Sequence, residues 1–406
     1  MSARKIRLLT FSSLYPSSVR PGHGIFVETR LRELMRSGEV DVRVVAPVPW
    51  FFSTDPRYGD YARMASTPRR ETHNGIDVLH PRYFLPPKLG MTLAPLSMAW
   101  GAMSALKQLI AEGYEFDAID AHYYYPDGVA AALLARQFNK PFTVTARGTD
   151  LNLIPQFTLP RWMMQWAAHR AAASVGVCSA LVDVLRDWKI PQERLHVMRN
   201  GVDLLRFRPL AQETVRAELG LTGSPMLLSV GYLVERKGHH IAIEALAQLL
   251  PSHPQARLVI VGDGEERVRL GDLCQRLGVV ERVTFTGALP NVELFRWYSA
   301  ADVLILASSR EGWANVLLEA MACGTPVVAA RIWGTPEVVA HAAAGKLVDR
   351  REGGAFAQAI TALLASYPDR AQVRSYAENF SWQSTTDAQL ALFQRIAVQS
   401  RETLHA

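Results

Sequence analysis

The amino-acid sequence predicts an α/β protein of two doubly wound domains, each built on a mostly parallel sheet. Three observations predict it. Short β-rich runs alternate with amphipathic helical stretches along the 406 residues, the runs fall into two series, and a polar, proline-containing connection separates the series. Two sheets suit that pattern better than one, because a single open sheet of about ten or more strands is unusual.

The first series is IRLLTF (6–11), VDVRVVAPV (40–48), FDAIDAH (116–122), PFTVTARG (141–148) and ASVGVCS (173–179). The second is MLLSVGY (226–232), ARLVIVGDG (256–264), RVTFTG (282–287), ADVLILAS (301–308) and TPVVAA (325–330). Between them, VETRLRELMRSG (27–38), GVAAALLARQF (128–138) and HHIAIEALAQLL (239–250) carry apolar residues at helical spacing. Strand signals pause in RNGVDLLRFRPLAQE (199–213), the expected break between domains. The segment 369–396 reads as two helices interrupted at Phe380-Ser381-Trp382, where Ser381 can cap a new helix.

Composition narrows the function classes. Hydrophobic residues make up 49% and charged residues 20%, as in globular proteins with room for two or three domains. Cys178, Cys274 and Cys323 are widely spaced, without a Cys-x-x-Cys pair or clustering with histidine, which suggests a reducing compartment and no zinc site. MSARKIRLLTFSS has a basic start but only a short apolar stretch and no small-residue cleavage site, so it reads as a first strand. No apolar run approaches the roughly 18–20 residues of a spanning helix. Of the net charge of +6, residues 1–200 supply 24 Lys/Arg against 17 Asp/Glu, and the remainder 20 against 21. Without a clustered basic run and interleaved aromatics, that excess argues against nucleic acid and fits an anionic membrane surface better.

Ligands of open α/β sheets bind beyond the carboxyl ends of the strands, so the loops there carry the candidates. After the first strand, Gly22-His23-Gly24 precedes a helix whose amides can meet an anion or hydroxyl. His122 ends a strand, and Arg147 and Asp150 follow the next. In the second half, Arg236 and Lys237 precede a helix N-terminus, where positive charge is unfavourable unless an anionic ligand is present. Gly262 and Gly264 follow the next strand but lack the third glycine of a dinucleotide fingerprint.

EGWANVLLEAMACGTPVVA (311–329) is the most informative stretch. Leu317, Leu318, Met321 and Ala322 recur at core-facing helical spacing, so Glu319 sits on an apolar segment and needs a partner, from the protein or from a ligand. Free amides of residues 313–316 at the helix start would meet a sugar-phosphate, Glu319 would accept from ribose hydroxyls, and Glu311 from a sugar. A glycosidase pair fits poorly: eight helical residues span roughly 12 Å, whereas hydrolase carboxylates stand about 5 to 9.5 Å apart.

With these motifs together, the chain resembles a retaining glycosyltransferase of family 4. The resemblance rests on Gly22–Gly24, His122, Arg147-Gly148-Thr149-Asp150, RNGVD (199–203), GYLVERKG (231–238), VGDGEER (261–267) and Glu311 to Glu319 with AMACGTPVV behind it. It implies the GT-B architecture: two Rossmann-like domains facing each other across a cleft, with a C-terminal helix crossing back. The implied domains are an acceptor-binding domain at 1–203, a nucleotide-sugar-binding domain at 204–378, and the returning helix at 379–406.

The implied reaction transfers a sugar from a nucleotide-sugar, with a UDP-sugar favoured, to a hydroxyl of a glycan or lipid-linked acceptor. It retains anomeric configuration and requires no bound metal and no cofactor. Lys237, with Arg236, would neutralise the diphosphate, and amides of Asn315 and Val316 would add hydrogen bonds. Glu319 would hold the ribose, Glu311 would contact the sugar, and His122 would line the reacting centre. Gly24 would keep backbone close to donor or acceptor, Gly262 and Gly264 would border the donor, and His23, Arg147 and Asp150 would face the acceptor side. No residue is an obvious protein nucleophile, which favours front-side attack assisted by the leaving phosphate.

Two positions depart from the family's pattern. Tyr232 stands where an arginine often follows the loop glycine, and Arg147 stands where His-Gly-x-Asp would place histidine. Arginine is no base at neutral pH, so its role there is binding. The expected setting is cytoplasmic, with peripheral contact to the inner face of the membrane and a role in surface-polysaccharide synthesis. The stripes at 86–110 and 158–170, which mix Trp, Met and Leu with Arg and Lys, suit either core packing or such a surface. A nucleotide-sugar 2-epimerase of the same architecture and a non-catalytic nucleotide-binding module are the competing readings. Acceptor-independent conversion of the donor, or binding without turnover, would distinguish them.

Overall fold

All ten apolar runs form strands in the computed structural model, which describes residues 4–85 and 90–405. The chain divides into two units, residues 1–199 with 383–406, and residues 200–382. The junctions therefore lie at 199/200 and 382/383, a few residues from the expected 203/204 and 378/379.

The first unit holds β1 (Ile6–Phe11), β2 (Val40–Val45), β3 (Val48–Pro49), β4 (Arg70–His73), β5 (Ile76–Leu79), β6 (Arg82–Tyr83), β7 (Ala118–His122), β8 (Phe142–Ala146), β9 (Ala173–Gly176) and β10 (Leu195–Val197). Eight of them form one sheet in the order β10-β9-β8-β7-β1-β2-β5-β4, parallel except for the β4–β5 hairpin, and β3 pairs with β6. The Ile25–Arg36 helix buries Val27, Leu31 and Leu34 against Leu8, Val42, Val44 and Val78. Leu392, Phe393 and Ile396 of the Trp382–His405 helix join the same core, so the C-terminal helix completes this unit. Each fully buried leucine or phenylalanine of such a core contributes about 1.5–3 kcal/mol. As expected, the C-terminal helices are separate, Arg370–Glu378 and Trp382–His405.

The second unit holds β11 (Met226–Val230), β12 (Arg257–Val261), β13 (Val283–Gly287), β14 (Val303–Leu306), β15 (Val327–Ala330) and β16 (Gly345–Val348), all parallel in the order β13-β12-β11-β14-β15-β16. Its four central strands, β12, β11, β14 and β15, are apolar on both faces, as a sheet covered on both sides requires. Leu227, Leu258, Ile260, Val303 and Ile305 pack with Ile241, Leu246 and Leu249 of the His239–Leu249 helix and Phe356 and Ile360 of the Gly353–Ala365 helix.

Of the mixed stripe expected at 86–110, residues 86–89 lie outside the described residues. The Gly90–Ala111 helix combines both readings: Met98, Ala102, Leu106 and Leu109 are buried, while Trp100 is 82% exposed. Among the described residues, no helix is long and apolar enough to cross a membrane.

Candidate active site

In each sheet the chain leaves a central strand in one direction and later returns on its other side. The crevice beyond the carboxyl ends of those two strands is where open α/β sheets bind ligands. The crevice falls between β11 and β14 in the second unit and between β1 and β7 in the first.

Beyond β11, a 3₁₀ turn at Glu235–Lys237 leads through Gly238 into the His239–Leu249 helix. The loop after β14 is tied to it, because the Ser309 amide donates to the Arg236 carbonyl at 2.8 Å. Lys237 Nζ then lies 2.6 Å from Glu311 Oε1, which also accepts from Ser308 Oγ at 2.8 Å. Two residues 74 positions apart thus form a well-covered ion pair, with side chains only 15% and 10% exposed. An anion placed here would compete with Glu311 for the ammonium.

Two further contacts shape this loop. His239 is buried, its Nδ1 within 2.9 Å of Ser229 Oγ and its Nε2 within 3.2 Å of the Tyr232 carbonyl. Burial lowers its pKa to about 4, so it is neutral at pH 7. Gly262 takes φ 147°, and a Cβ there would fall 1.8 Å from the Gly231 carbonyl. Gly264 repeats the arrangement against the Leu233 carbonyl at 2.5 Å. The space a side chain would occupy is filled by the Gly231–Leu233 backbone, so these glycines let the two loops pack together. Tyr232 is 63% exposed.

The Asn315–Ala322 helix follows, with Leu317, Leu318, Met321 and Ala322 all buried. The partner that Glu319 requires is Tyr298, whose fully buried hydroxyl donates to Oε2 at 2.8 Å. Burial pushes Glu319 up to about 7, against the lowering effects of the Tyr298 hydrogen bond and the Arg206 charge. One expectation needs correction: the Asn315 amide is not free, since it donates to the Trp313 carbonyl at 3.1 Å. The Asn315 side chain accepts from Asn200 Nδ2 at 3.2 Å. Val316 lies in the first turn, where amides have no helical partner.

In the first unit, the loops after β1 and β7 meet through Ser13 and Asp127. The Ser13 amide donates to Asp127 Oδ1, and its hydroxyl donates to Oδ2 at 2.9 Å. Asp127 is fully buried, and burial raises its pKa to about 7. Gly24, at φ 64°, begins the Ile25–Arg36 helix, and a Cβ there would fall 1.5 Å from the Leu14 carbonyl. That contact alone requires glycine. His23 Nδ1 lies 2.8 Å from Arg20 Nη2, and burial followed by the Arg20 charge lowers its pKa to about 4.

His122, expected to line the reacting centre, is 1% exposed. Its Nε2 sits 3.1 Å from Asp120 Oδ2, and its Nδ1 contacts the Arg147 guanidinium. With both ring nitrogens engaged, it meets the surroundings through Arg147. Burial foremost holds its pKa near 4, against the raising effect of Asp120. Asp150 is also fully buried: its carboxylate accepts from the amides of Tyr124 (2.9 Å), Arg147 (3.0 Å) and Gly148 (2.7 Å). Its carboxylate is engaged by these amides and fixes the 147–150 turn. Asp120, Asp127 and Tyr298 were not legible as site residues, because each acquires its role through partners distant in sequence.

The comparisons with known proteins agree with this architecture. The profile of glycosyltransferase family 4 matches residues 22–206, and that of the glycosyl transferases group 1 matches residues 211–380. The putative teichuronic acid biosynthesis glycosyltransferase TuaC of Bacillus subtilis (strain 168) is 32% identical over 373 residues, covering 88% of each chain. D-inositol 3-phosphate glycosyltransferase 1 of Catenulispora acidiphila is 28% identical over 415 residues, covering 95% of each. Among solved structures, Anabaena Alr3699/HepE in complex with UDP superimposes with a TM-score of 0.71 at 21% identity, over 96% of this chain and 100% of that one. Sucrose-phosphate synthase of Thermosynechococcus elongatus gives 0.72 at 24% identity, over 99% and 98%.

Proposed function

The chain belongs to the family 4 glycosyltransferases of GT-B fold, and on that premise we propose that it transfers a sugar from a UDP-sugar to a hydroxyl of a glycan or lipid-linked saccharide, with retention of anomeric configuration. The observation that carries the reading is the Lys237–Glu311 pair at the β11/β14 crevice. The UDP and UDP-glucose bound in the Anabaena structures support uridine as the base. The likeness to TuaC, a putative teichuronic acid biosynthesis glycosyltransferase, supports a role in surface-polysaccharide synthesis.

In this reading Lys237 and Arg236 take the diphosphate, with the Val316 amide beside it. Glu319 uses its carboxylate, already steadied by Tyr298, on the ribose hydroxyls. As the anomeric carbon–oxygen bond breaks, negative charge grows on the departing diphosphate, and preorganised cations stabilise that charge selectively. The acceptor oxygen bonds to the same face of the anomeric carbon, and its proton passes to an oxygen of the leaving phosphate. Glu311, exchanged from Lys237, accepts from a sugar hydroxyl. The two cations supply the positive charge, so the proposal invokes no metal ion. On the acceptor side, neutral His122 orients Arg147 as a binding group.

A lipid-linked acceptor would bring the enzyme to a membrane surface. The exposed Met91, Leu96 and Trp100 of one helix and Phe157, Leu159 and Trp162 at the start of another support that part of the proposal. A thermal-shift panel of UDP, GDP and ADP with their sugars tests the donor. Stabilisation by the uridine set, lost in Lys237→Ala, is the expected result, and no response well above ordinary affinities would remove the donor site. A donor sugar altered without any acceptor would favour the epimerase instead.

A further inference from the structure

The amino ends of β8, β9 and β10 form a second feature of the first unit, opposite to the edge that carries His122. A groove of about 740 Å³ lies there, bounded also by the last turn of the Val129–Phe138 helix and by the C-terminal helix. Five cationic side chains line it, Arg136, Lys140, Arg170, Arg194 and Arg395, with Glu193 the one carboxylate among its lining residues.

Four of these cations contact neutral groups. Arg170 Nη1 donates to the Trp166 carbonyl and its guanidinium lies 4.6 Å from the Trp166 ring. Arg194 Nη1 donates to the His169 carbonyl, Lys140 sits 5.9 Å from the Phe116 ring, and Arg395 approaches His196 Nε2 at 3.4 Å. All of these partners are neutral. Elsewhere in the same unit, Arg43, Arg57, Arg63, Arg70 and Arg186 each sit on a carboxylate, while Arg30 and Arg82 are held by backbone carbonyls. Helix C-termini explain part of the excess, since Arg136 lies in a last turn and Lys140 and Arg170 just beyond one, where cations are favoured. Arg194 and Arg395 have no such reason to converge, and five like charges gathered around a single carboxylate repel. Burial, and then the Arg395 charge, lower the pKa of His196, in keeping with a locally positive potential.

We propose that this groove is a second anion site, which takes a ligand bearing two or more phosphate charges and is separate from the donor crevice. The chemistry is phosphate oxyanions held by arginine forks and one lysine. Two sources offer it, a free polyphosphorylated small molecule and the headgroups of anionic lipids.

The test uses the full-length protein and three variants: Lys237→Ala, which disables the donor crevice, the double variant Arg136→Gln/Arg170→Gln at exposed groove positions, and the triple combination. Circular dichroism and the UDP-induced thermal shift of the double variant check that it folds. Inorganic tripolyphosphate is titrated calorimetrically at low salt, and vesicles of phosphatidylcholine with and without about 30% phosphatidylglycerol are sedimented. Tripolyphosphate binding that survives Lys237→Ala and weakens at least tenfold in the double variant supports a free-phosphate site. No tripolyphosphate binding, with phosphatidylglycerol-dependent sedimentation lost in the double variant, supports the headgroup source. If neither probe binds, or if binding is the same in wild type and double variant, the groove is not an anion site. The donor reading fails separately, through loss of the UDP shift in wild type.

Discussion

Lys237 Nζ and Glu311 Oε1 stand 2.6 Å apart, joining the loops that follow β11 and β14 into one crevice wall. A cation held by a carboxylate is positioned for a phosphate, yet must exchange partners to bind it. The two members of the pair should therefore fail differently when mutated. Lys237→Ala should lower kcat/KM by about 100-fold or more, equivalent to about 2.7 kcal/mol of transition-state stabilisation, and abolish the UDP thermal shift. Glu311→Gln should leave UDP affinity unchanged or improved, because the competing carboxylate is gone, while lowering turnover of the UDP-sugar. Equal loss of UDP affinity in both variants would argue that the pair only braces the loops.

Glu319 gives the donor site a pH dependence. Burial pushes its carboxyl up to about 7, while ribose hydroxyls donating to it would favour the ionised form. UDP affinity should therefore fall as pH drops below about 7, with proton release on binding near pH 6. Glu319→Gln should bind more weakly and lose the pH dependence. Calorimetry in buffers of different ionisation enthalpy reads this directly, and a wild-type affinity flat from pH 5.5 to 8.5 would count against the ribose role.

Asp127 imposes a pH dependence on stability. A carboxyl whose folded-state pKa is raised, here to about 7, binds its proton more tightly in the folded protein. Its contribution is fully present below the unfolded value and is lost as pH rises through about 7. Asp127→Asn should therefore lose stability relative to wild type at pH 5 and recover by on the order of 2 kcal/mol at pH 8. Urea denaturation at both pH values measures the difference, and a pH-independent difference would refute the assignment.

Gly24→Ala should be strongly destabilising, because the new Cβ would fall 1.5 Å from the Leu14 carbonyl at a residue with φ 64°. The loop after β1 must shift, at a cost of roughly 2 kcal/mol or more. Gly22→Ala, where nothing lies within 4 Å of the new atom, should cost far less. Similar denaturation midpoints for the two variants would contradict this account.

Trp100, 82% exposed, and Trp162, 62% exposed, are the sharpest probes of membrane contact. Trp100→Ala/Trp162→Ala should reduce sedimentation with anionic vesicles several-fold without lowering the thermal midpoint, since neither ring is part of a core. Unchanged sedimentation would place any membrane contact elsewhere.

Taken alone, the sequence determined the two parallel sheets, the ten main strands and the break between the two C-terminal helices, because apolar runs and their periodicity report burial directly. The strands it did not reveal are β3, β4, β5, β6, β10 and β16, short segments of two to four residues. β4, with alternating partial exposure, carries no apolar signal, and its pairing is a tertiary matter. The sequence also singled out Glu319 as a carboxylate that needed a partner. Only the tertiary structure supplied Tyr298 as that partner, paired Lys237 with Glu311 across 74 positions, and turned His122 and Asp150 inward. Periodicity records which face of an element is buried. Which side chains meet is decided by the crossover connections that bring the ends of β11 and β14, or of β1 and β7, side by side.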